Sequence, residues 1–246
     1  MIARGWTQPG GRPHAEAVAL AAAGEAARGA TLYVTLEPCA HRSHRGPACA
    51  DLVAGAGLAR VVVGCPDPDP RTAGAGIARI RAAGTPVDLI DHPDCRASLS
   101  GFLTRCTDGR PQVTLKLALS ADCRLAPPQG QWLTGPVARA HTHAWRAKMD
   151  AILVGRGTLE ADQPRLDVRL PGLADRSPER WLLTSGSAPA GWRGLPSPQD
   201  IALLAPAQYL MVEGGAETAR AFLAAGLVDR LMLYRAPQVV GGNGAS

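Results

Sequence analysis

At 246 residues, 46% hydrophobic and 19% charged, the chain is long enough for one large or two modest domains with their own cores, and its composition is that of an ordinary globular protein. No apolar run approaches the length that spans a bilayer, and the start lacks the charged, apolar, small-residue order of a signal peptide. The expected location is therefore the cytoplasm, with no membrane partner.

Residues 1–6 are a short apolar start suited to a strand, followed by the turn-forming Gln8-Pro9-Gly10-Gly11. His14-Ala15-Glu16 opens an alanine-rich helix over residues 16–28, and residues 31–37, alternating and rich in Thr, Val and Tyr, read as a strand. Pro38-Cys39 follows that strand, and Cys49 comes ten residues later. A helix is expected over 50–59, a buried β-branched strand over 60–64, a helix over 71–83 stopped by Gly84, and a strand over 86–90. Residues 98–112 read as a connector with a turn at Thr107-Asp108-Gly109-Arg110-Pro111, and the domain boundary is placed near residue 105.

The second half, residues 106–246, starts with a strand at 113–119 and a helix at 136–148 that has Pro136 in its first turn. Residues 151–155 form another buried strand and 181–184 a further one. Residues 209–213 run into Gly214-Gly215 and a helix over 217–225, before a last strand at 231–234. Strands alternating with helices imply an α/β layered fold with a parallel sheet, and the absence of a fixed repeat excludes a solenoid.

His14, Cys39 and Cys49 have the donor chemistry of a catalytic zinc site, in which three protein ligands leave the fourth position for water. Glu16, two residues from the histidine, would overhang the metal and shuttle protons. Each fragment alone is a weak signal; their order, with a helix and a strand between them, matches the pattern of zinc base deaminases. The segment between the cysteines contains His41 and His44, which could compete with Cys49 as ligand. Cys65, Cys95, Cys106 and Cys123 are read as reduced thiols, since six irregularly placed cysteines in a chain of this size make no disulfide framework. The net charge of +5 is almost all arginine, with Lys116 and Lys148 the only lysines. The arginines are scattered, so phosphate on a small substrate explains them as well as nucleic acid does.

Gly11-Arg12-Pro13-His14-Ala15-Glu16, Leu36-Glu37-Pro38-Cys39-Ala40-His41 and Asp67-Pro68-Asp69-Pro70 together resemble the deaminase half of the bifunctional riboflavin-biosynthesis deaminase/reductase family. That family usually places eight residues between its cysteines; here there are nine, the extra one falling in the polar stretch 41–47, where an insertion costs little. In the second half the strand, Gly214-Gly215 and helix could present backbone N–H groups to a phosphate, although such turns are common and no Gly-x-Gly-x-x-Gly occurs there. The series Leu115-Lys116-Leu117-Ala118, Ser120-Ala121-Asp122, Gln131-Trp132-Leu133-Thr134, Arg146-Ala147, Asp150-Ala151-Ile152-Leu153-Val154-Gly155, Gly157-Thr158, Asp162-Gln163-Pro164 and Val212-Glu213-Gly214-Gly215 resembles the reductase half of the same family.

The resemblance implies a cytidine-deaminase-like zinc domain followed by a dihydrofolate-reductase-like domain, with one Zn2+ and NADPH as cofactors. It implies deamination of 2,5-diamino-6-(5-phosphoribosylamino)pyrimidin-4-one, then reduction of the ribosyl group to ribityl. It puts NADPH against Ala118, Thr158, Asp162, Ser185, Gly215, Ala216, Glu217, Thr218, Ala219, Arg220 and Ala221, and the phosphoribosyl substrate against Trp132, Arg146, Leu166, Arg169 and Glu213. The planar forks of Arg146 and Arg169 suit a phosphate.

Three positions depart from the family: Cys123 stands where glycine is usual, Gln163 replaces an aspartate, and Gly130 stands where a substrate-contacting serine is expected. The family also has a helix and an inner strand before the region matching Met1, and closing strands after the point where this chain stops. An unpaired buried backbone group costs ~1–3 kcal/mol, so the expectation is a chain incomplete at both ends, poorly folded and nearly inactive as a deaminase. A nucleic-acid base deaminase and a non-catalytic remnant that binds metal or nucleotide are the alternatives, and a homo-oligomer is compatible with either.

Overall fold

The computed structural model describes residues 1–125 and 133–241, in two compact units, Met1–Thr107 and Asp108–Ser246. Among the described residues no helix is long and apolar enough to cross a membrane. The expected substrate residue Trp132 and the departure at Gly130 lie outside the described residues.

The first unit runs α1 (Ala15–Ala23), β1 (Thr31–Val34), α2 (Cys49–Gly55), β2 (Arg60–Val63), α3 (Ala75–Ala82), β3 (Val87–Leu89), α4 (Pro93–Ser98) and α5 (Ser100–Asp108). The three strands form a parallel sheet in the order β1-β2-β3, with Val34 opposite Val63 and Val63 opposite Leu89. Val61, Val63, Val53, Ile77 and Ile80 close its core.

Residues 1–6 are not a strand in the structure. The helix expected over 16–28 is shorter, because α1 gives way at Gly24 to a 3-10 turn. β1 stops three residues before the expected end at residue 37, since the chain turns out of the sheet to bring Glu37 N–H onto the Cys65 carbonyl at 2.9 Å. Much of the expected connector 98–112 is helical, since α5 covers Ser100–Asp108 and the turn signal at 107–111 marks where it stops; before it, the unexpected α4 has Pro93 in its first turn, where the His92 ring accepts the Asp94 N–H at 3.2 Å.

The second unit runs β4 (Gln112–Leu119), α6 (Pro136–Arg146), β5 (Ala151–Gly155), α7 (Arg156–Asp162), β6 (Glu179–Leu183), β7 (Arg193–Leu195), β8 (Tyr209–Val212), α8 (Ala216–Ala224) and β9 (Arg230–Arg235). Its strands form one sheet in the order β7-β6-β5-β8-β4-β9, every neighbouring pair parallel. β5 is apolar throughout because alternate residues serve two cores. Ala151 and Leu153 pack with Trp181, Val212 and Phe222, while Ile152 and Val154 pack with Leu182, Met211 and Leu166. The sheet's parallel order puts the carboxyl ends of β4, β5, β6 and β8 along one edge, the place where open α/β sheets bind ligands.

Candidate functional site

In the first unit His14 is the residue at which α1 begins, and Glu16 lies in the first helical turn, buried. Cys39 ends the turn that leaves β1, and Cys49 opens α2 with its backbone N–H on Cys39 Sγ at 3.3 Å. His14 Nδ1 is 3.3 Å from Cys49 Sγ, and the ligand atoms of His14, Cys39 and Cys49 all lie within 4.8 Å of one another. Tetrahedral zinc with Zn–S near 2.3 Å and Zn–N near 2.0–2.1 Å has ligand-to-ligand edges of about 3.5–3.8 Å, so this donor set fits the ion.

The protons of the cluster are shared. A hydrogen bond from the Cys49 thiol, then His14 and the Cys49 backbone N–H, hold the Cys39 thiol well below its ordinary range. The same bond with Cys39, then burial, then Glu16, push the Cys49 thiol up, and hydrogen bonding to Cys39 raises His14. Burial raises the Glu16 carboxyl group, which suits it to carrying a proton.

The stretch between the cysteines makes a tight turn. Ser43 and Gly46 exchange backbone hydrogen bonds at 3.2 and 3.1 Å, leaving His44 and Arg45 at the tip. Arg45 Nη1 donates to the Gly10 carbonyl at 2.6 Å, and Arg12 Nη1 donates to the Pro47 carbonyl at 3.0 Å. His44 is exposed, and His41 Nδ1 lies 3.4 Å from Thr72 Oγ1. Neither belongs to the metal-ligating cluster among the described residues.

Glu37 is a residue whose part sequence reasoning missed. Its side chain is 2% exposed and accepts the backbone N–H groups of Asp67 at 3.3 Å, Gly74 at 3.1 Å and Ile77 at 3.1 Å. Thr72 Oγ1 accepts the Ala40 N–H at 3.3 Å, so the segment 67–77 grips the turn bearing Cys39 from two sides. Gly76 allows this approach, because a Cβ there would fall 2.0 Å from the Pro38 carbonyl oxygen. Glu37→Gln replaces one acceptor oxygen by an NH2 facing backbone donors and is expected to destabilise the first unit by about 2–3 kcal/mol. Urea unfolding would measure it, and a midpoint equal to that of the parent would refute it.

In the second unit Thr158 Oγ1 accepts the Gly215 N–H at 3.2 Å, tying α7 to the turn after β8. Thr218 packs where side chains are missing on both strands: a Cβ on Gly155 would lie 2.2 Å from Thr218 Oγ1, and one on Gly214 would lie 2.4 Å from Thr218 Cβ. The first turn of α8 therefore sits close against the strand ends, with no side chain capping its N-terminus. Thr218 and Ala219 are buried, whereas Glu217 and Arg220 are exposed. Ala118 lies on β4 one residue from its end, Asp162 ends α7, and Ser185 follows Thr184 at the end of β6.

The expected substrate residues divide. Arg146 does not hold its fork free for a phosphate: it makes a bidentate ion pair with Glu213, Nε to Oε1 at 2.7 Å and Nη2 to Oε2 at 2.9 Å. Lys116 Nζ reaches the same carboxylate at 3.8 Å and lies 5.8 Å from the centre of the Tyr234 ring. Sequence reasoning did not single out Lys116 for a role, although a lysine within the apolar stretch of β4 was a signal. Leu166 is 4% exposed and belongs to the core with Ile152 and Met211, with its backbone at φ +54. Arg169 is half exposed, 3.4 Å from Asp167. Cys123 has φ +62 and Gln163 φ +44, so two of the departures fall at left-handed backbone positions, where a side chain is strained.

A histidine-cysteine-cysteine cluster with a buried glutamate beside it, and a separate parallel sheet with a Gly-Gly turn at its carboxyl edge, are the arrangements of a zinc deaminase domain and of a ligand-binding α/β domain. Residues 1–65 match the model of the cytidine and deoxycytidylate deaminase zinc-binding region, and residues 111–190 and 205–246 match the RibD C-terminal domain. The chain is 35% identical to the riboflavin biosynthesis protein RibD of Escherichia coli, covering 99% of this chain and 80% of that protein, and 33% identical to RibD of Aquifex aeolicus, covering 98% and 78%.

Among solved structures, it is similar to the Thermotoga maritima diaminohydroxyphosphoribosylaminopyrimidine deaminase/5-amino-6-(5-phosphoribosylamino)uracil reductase, with a TM-score of 0.90 at 29% identity over 100% of this chain and 79% of the other. Acinetobacter baumannii RibD, form 2, gives a TM-score of 0.87 at 35% identity, with the same two coverages. The chain belongs to the RibD family: it is a riboflavin-biosynthesis protein with a zinc-dependent deaminase domain and an NADPH-dependent reductase domain.

Proposed function

We propose that the first unit deaminates 2,5-diamino-6-(5-phosphoribosylamino)pyrimidin-4-one and that the second reduces the ribosyl group of the resulting 5-amino-6-(5-phosphoribosylamino)uracil. The observation that carries this reading is the meeting of His14, Cys39 and Cys49 with Glu16 buried beside them. Those three side chains would hold one zinc ion, which when bound supplies Lewis-acid activation of water. Glu16 takes a proton from the attacking water and delivers it to the departing amino group, so that water is consumed and ammonia leaves.

In the second unit the NADPH residues are Ala118, Thr158, Asp162, Ser185 and the turn 215–221, whose helix start offers backbone N–H groups to a phosphate. NADPH when bound supplies the hydride. Arg146 holds Glu213 in place by its two hydrogen bonds, and Lys116 beside them has a transferable proton for the sugar oxygen as the ribosyl group is reduced. Arg169 faces the phosphate. Phosphorylated metabolites and NADPH are cytoplasmic pools, so the cytoplasm is the compartment this reading implies.

The test is to supply zinc, the diaminopyrimidine and NADPH to the purified chain. Ammonia release and NADPH oxidation in equal amounts are expected. Ammonia without NADPH oxidation would sink the second half of the reading, and silence in both assays would sink the whole.

A further inference from the structure

Helix α6 presents His143 and Arg146, one turn apart, to the segment 164–169 that carries Leu166 and Arg169. Arg146 Nη1 donates to the Asp167 carbonyl at 3.1 Å. His143 Nδ1 lies 3.1 Å from that same carbonyl and 3.3 Å from the Arg169 backbone N–H. One ring nitrogen cannot serve both groups, because it donates when protonated and accepts when it is not. The Asp167 carbonyl has its donor in Arg146 either way. Only the ring with Nδ1 unprotonated also gives the Arg169 N–H an acceptor.

We propose that neutral His143 is a positioning residue of the reductase, whose Nδ1 lone pair holds the Arg169 backbone and so sets the Arg169 side chain for the phosphate end of the substrate. The proposal rests on the reading that Arg169 faces that phosphate. Three charged groups face the ring: Arg146 on its own helix, and Arg169 and Asp167 on the segment. Burial, then Arg146, then Arg169 keep the imidazole below its ordinary pKa, against the opposing pull of Asp167. The ring is therefore neutral at pH 7. Acid converts the acceptor to a donor pointing at another N–H, so the hold is present above the ring's pKa and lost below it.

The test uses the full chain with His143→Leu and His143→Asn. Asparagine places an oxygen acceptor near the Nδ1 position and does not titrate. Two readouts are needed: amide hydrogen exchange of residues 164–170 at pH 7, and NADPH oxidation with 5-amino-6-(5-phosphoribosylamino)uracil from pH 5 to 8. In His143→Leu the segment should exchange faster, and the substrate KM should rise ~3–10-fold with kcat and the NADPH KM nearly unchanged, the pattern of lost uniform binding. His143→Asn should restore both. The parent's substrate KM should rise more steeply as pH falls than that of either variant, in which only the substrate phosphate, with its second pKa at about 6, still titrates. Exchange and KM in His143→Leu equal to those of the parent would overturn the proposal, as would His143→Asn being as impaired as His143→Leu. A parent that oxidises no NADPH would instead defeat the reductase reading, and the exchange measurement would still decide whether His143 holds the segment.

Discussion

Glu16→Gln is expected to lower ammonia release by about 10²–10⁴-fold, the usual worth of a positioned general acid-base. NADPH oxidation should continue at the parent rate when the deaminated pyrimidine is supplied. The side chain is buried in the first turn of α1, where burial already favours its protonated form, so glutamine fits the same space without the proton-carrying oxygen. Zinc content should stay at the parent level, because the ligand atoms come from His14, Cys39 and Cys49. The two activities should separate because the reductase residues belong to a different compact unit, and sites without shared partners act nearly independently. Equal loss of both activities would mean a shared site or a folding defect.

The parts of the fold most legible in the sequence are those whose pattern has one explanation. The β-branched run Val61-Val62-Val63 and the apolar run 151–155, each short and ending at a glycine, read as strands buried on both faces, and both are. Arg156–Asp162 forms α7 without an apolar stripe or a side-chain cap, so nothing local announces it. The apolar start at residues 1–6 shows the converse, a suitable composition with no strand formed.

At the sites, residue type was easier to read than engagement. Arg146 was legible as a planar cation, but its partner Glu213 is 67 residues away, and only the folded chain reveals that the fork is already occupied. Glu37 was hidden for the same reason, since its three backbone donors lie 30, 37 and 40 residues further on. The positive φ at Cys123 was legible as a condition, because a non-glycine residue at a glycine position matters only if the backbone turns left-handed, and it does.

Cys49→Ala is expected to strip zinc from the purified chain and to lower the stability of the first unit. The residue is 1% exposed and opens α2, so its sulfur ties that helix to His14 at the start of α1, while its N–H ties the helix to Cys39. Removing the sulfur leaves two ligands, too few for a site that needs three protein donors. Metal binding is also folding free energy in sites of this kind, reaching ~10–16 kcal/mol of apparent binding in zinc-finger peptides, so chelation of the parent should loosen the same unit. His41 and His44, which lie between the two cysteines in the chain, are the alternatives the sequence offers to Cys49. His44 stands exposed at the tip of the turn between Ser43 and Gly46, and His41 is turned towards Thr72, so neither is placed to restore the site. Zinc per chain, measured by atomic absorption, should fall from one to near zero, with a thermal transition of the first unit at lower temperature. Full zinc occupancy in Cys49→Ala would show that the ion is held elsewhere and that the cluster at the start of α1 is not the metal centre.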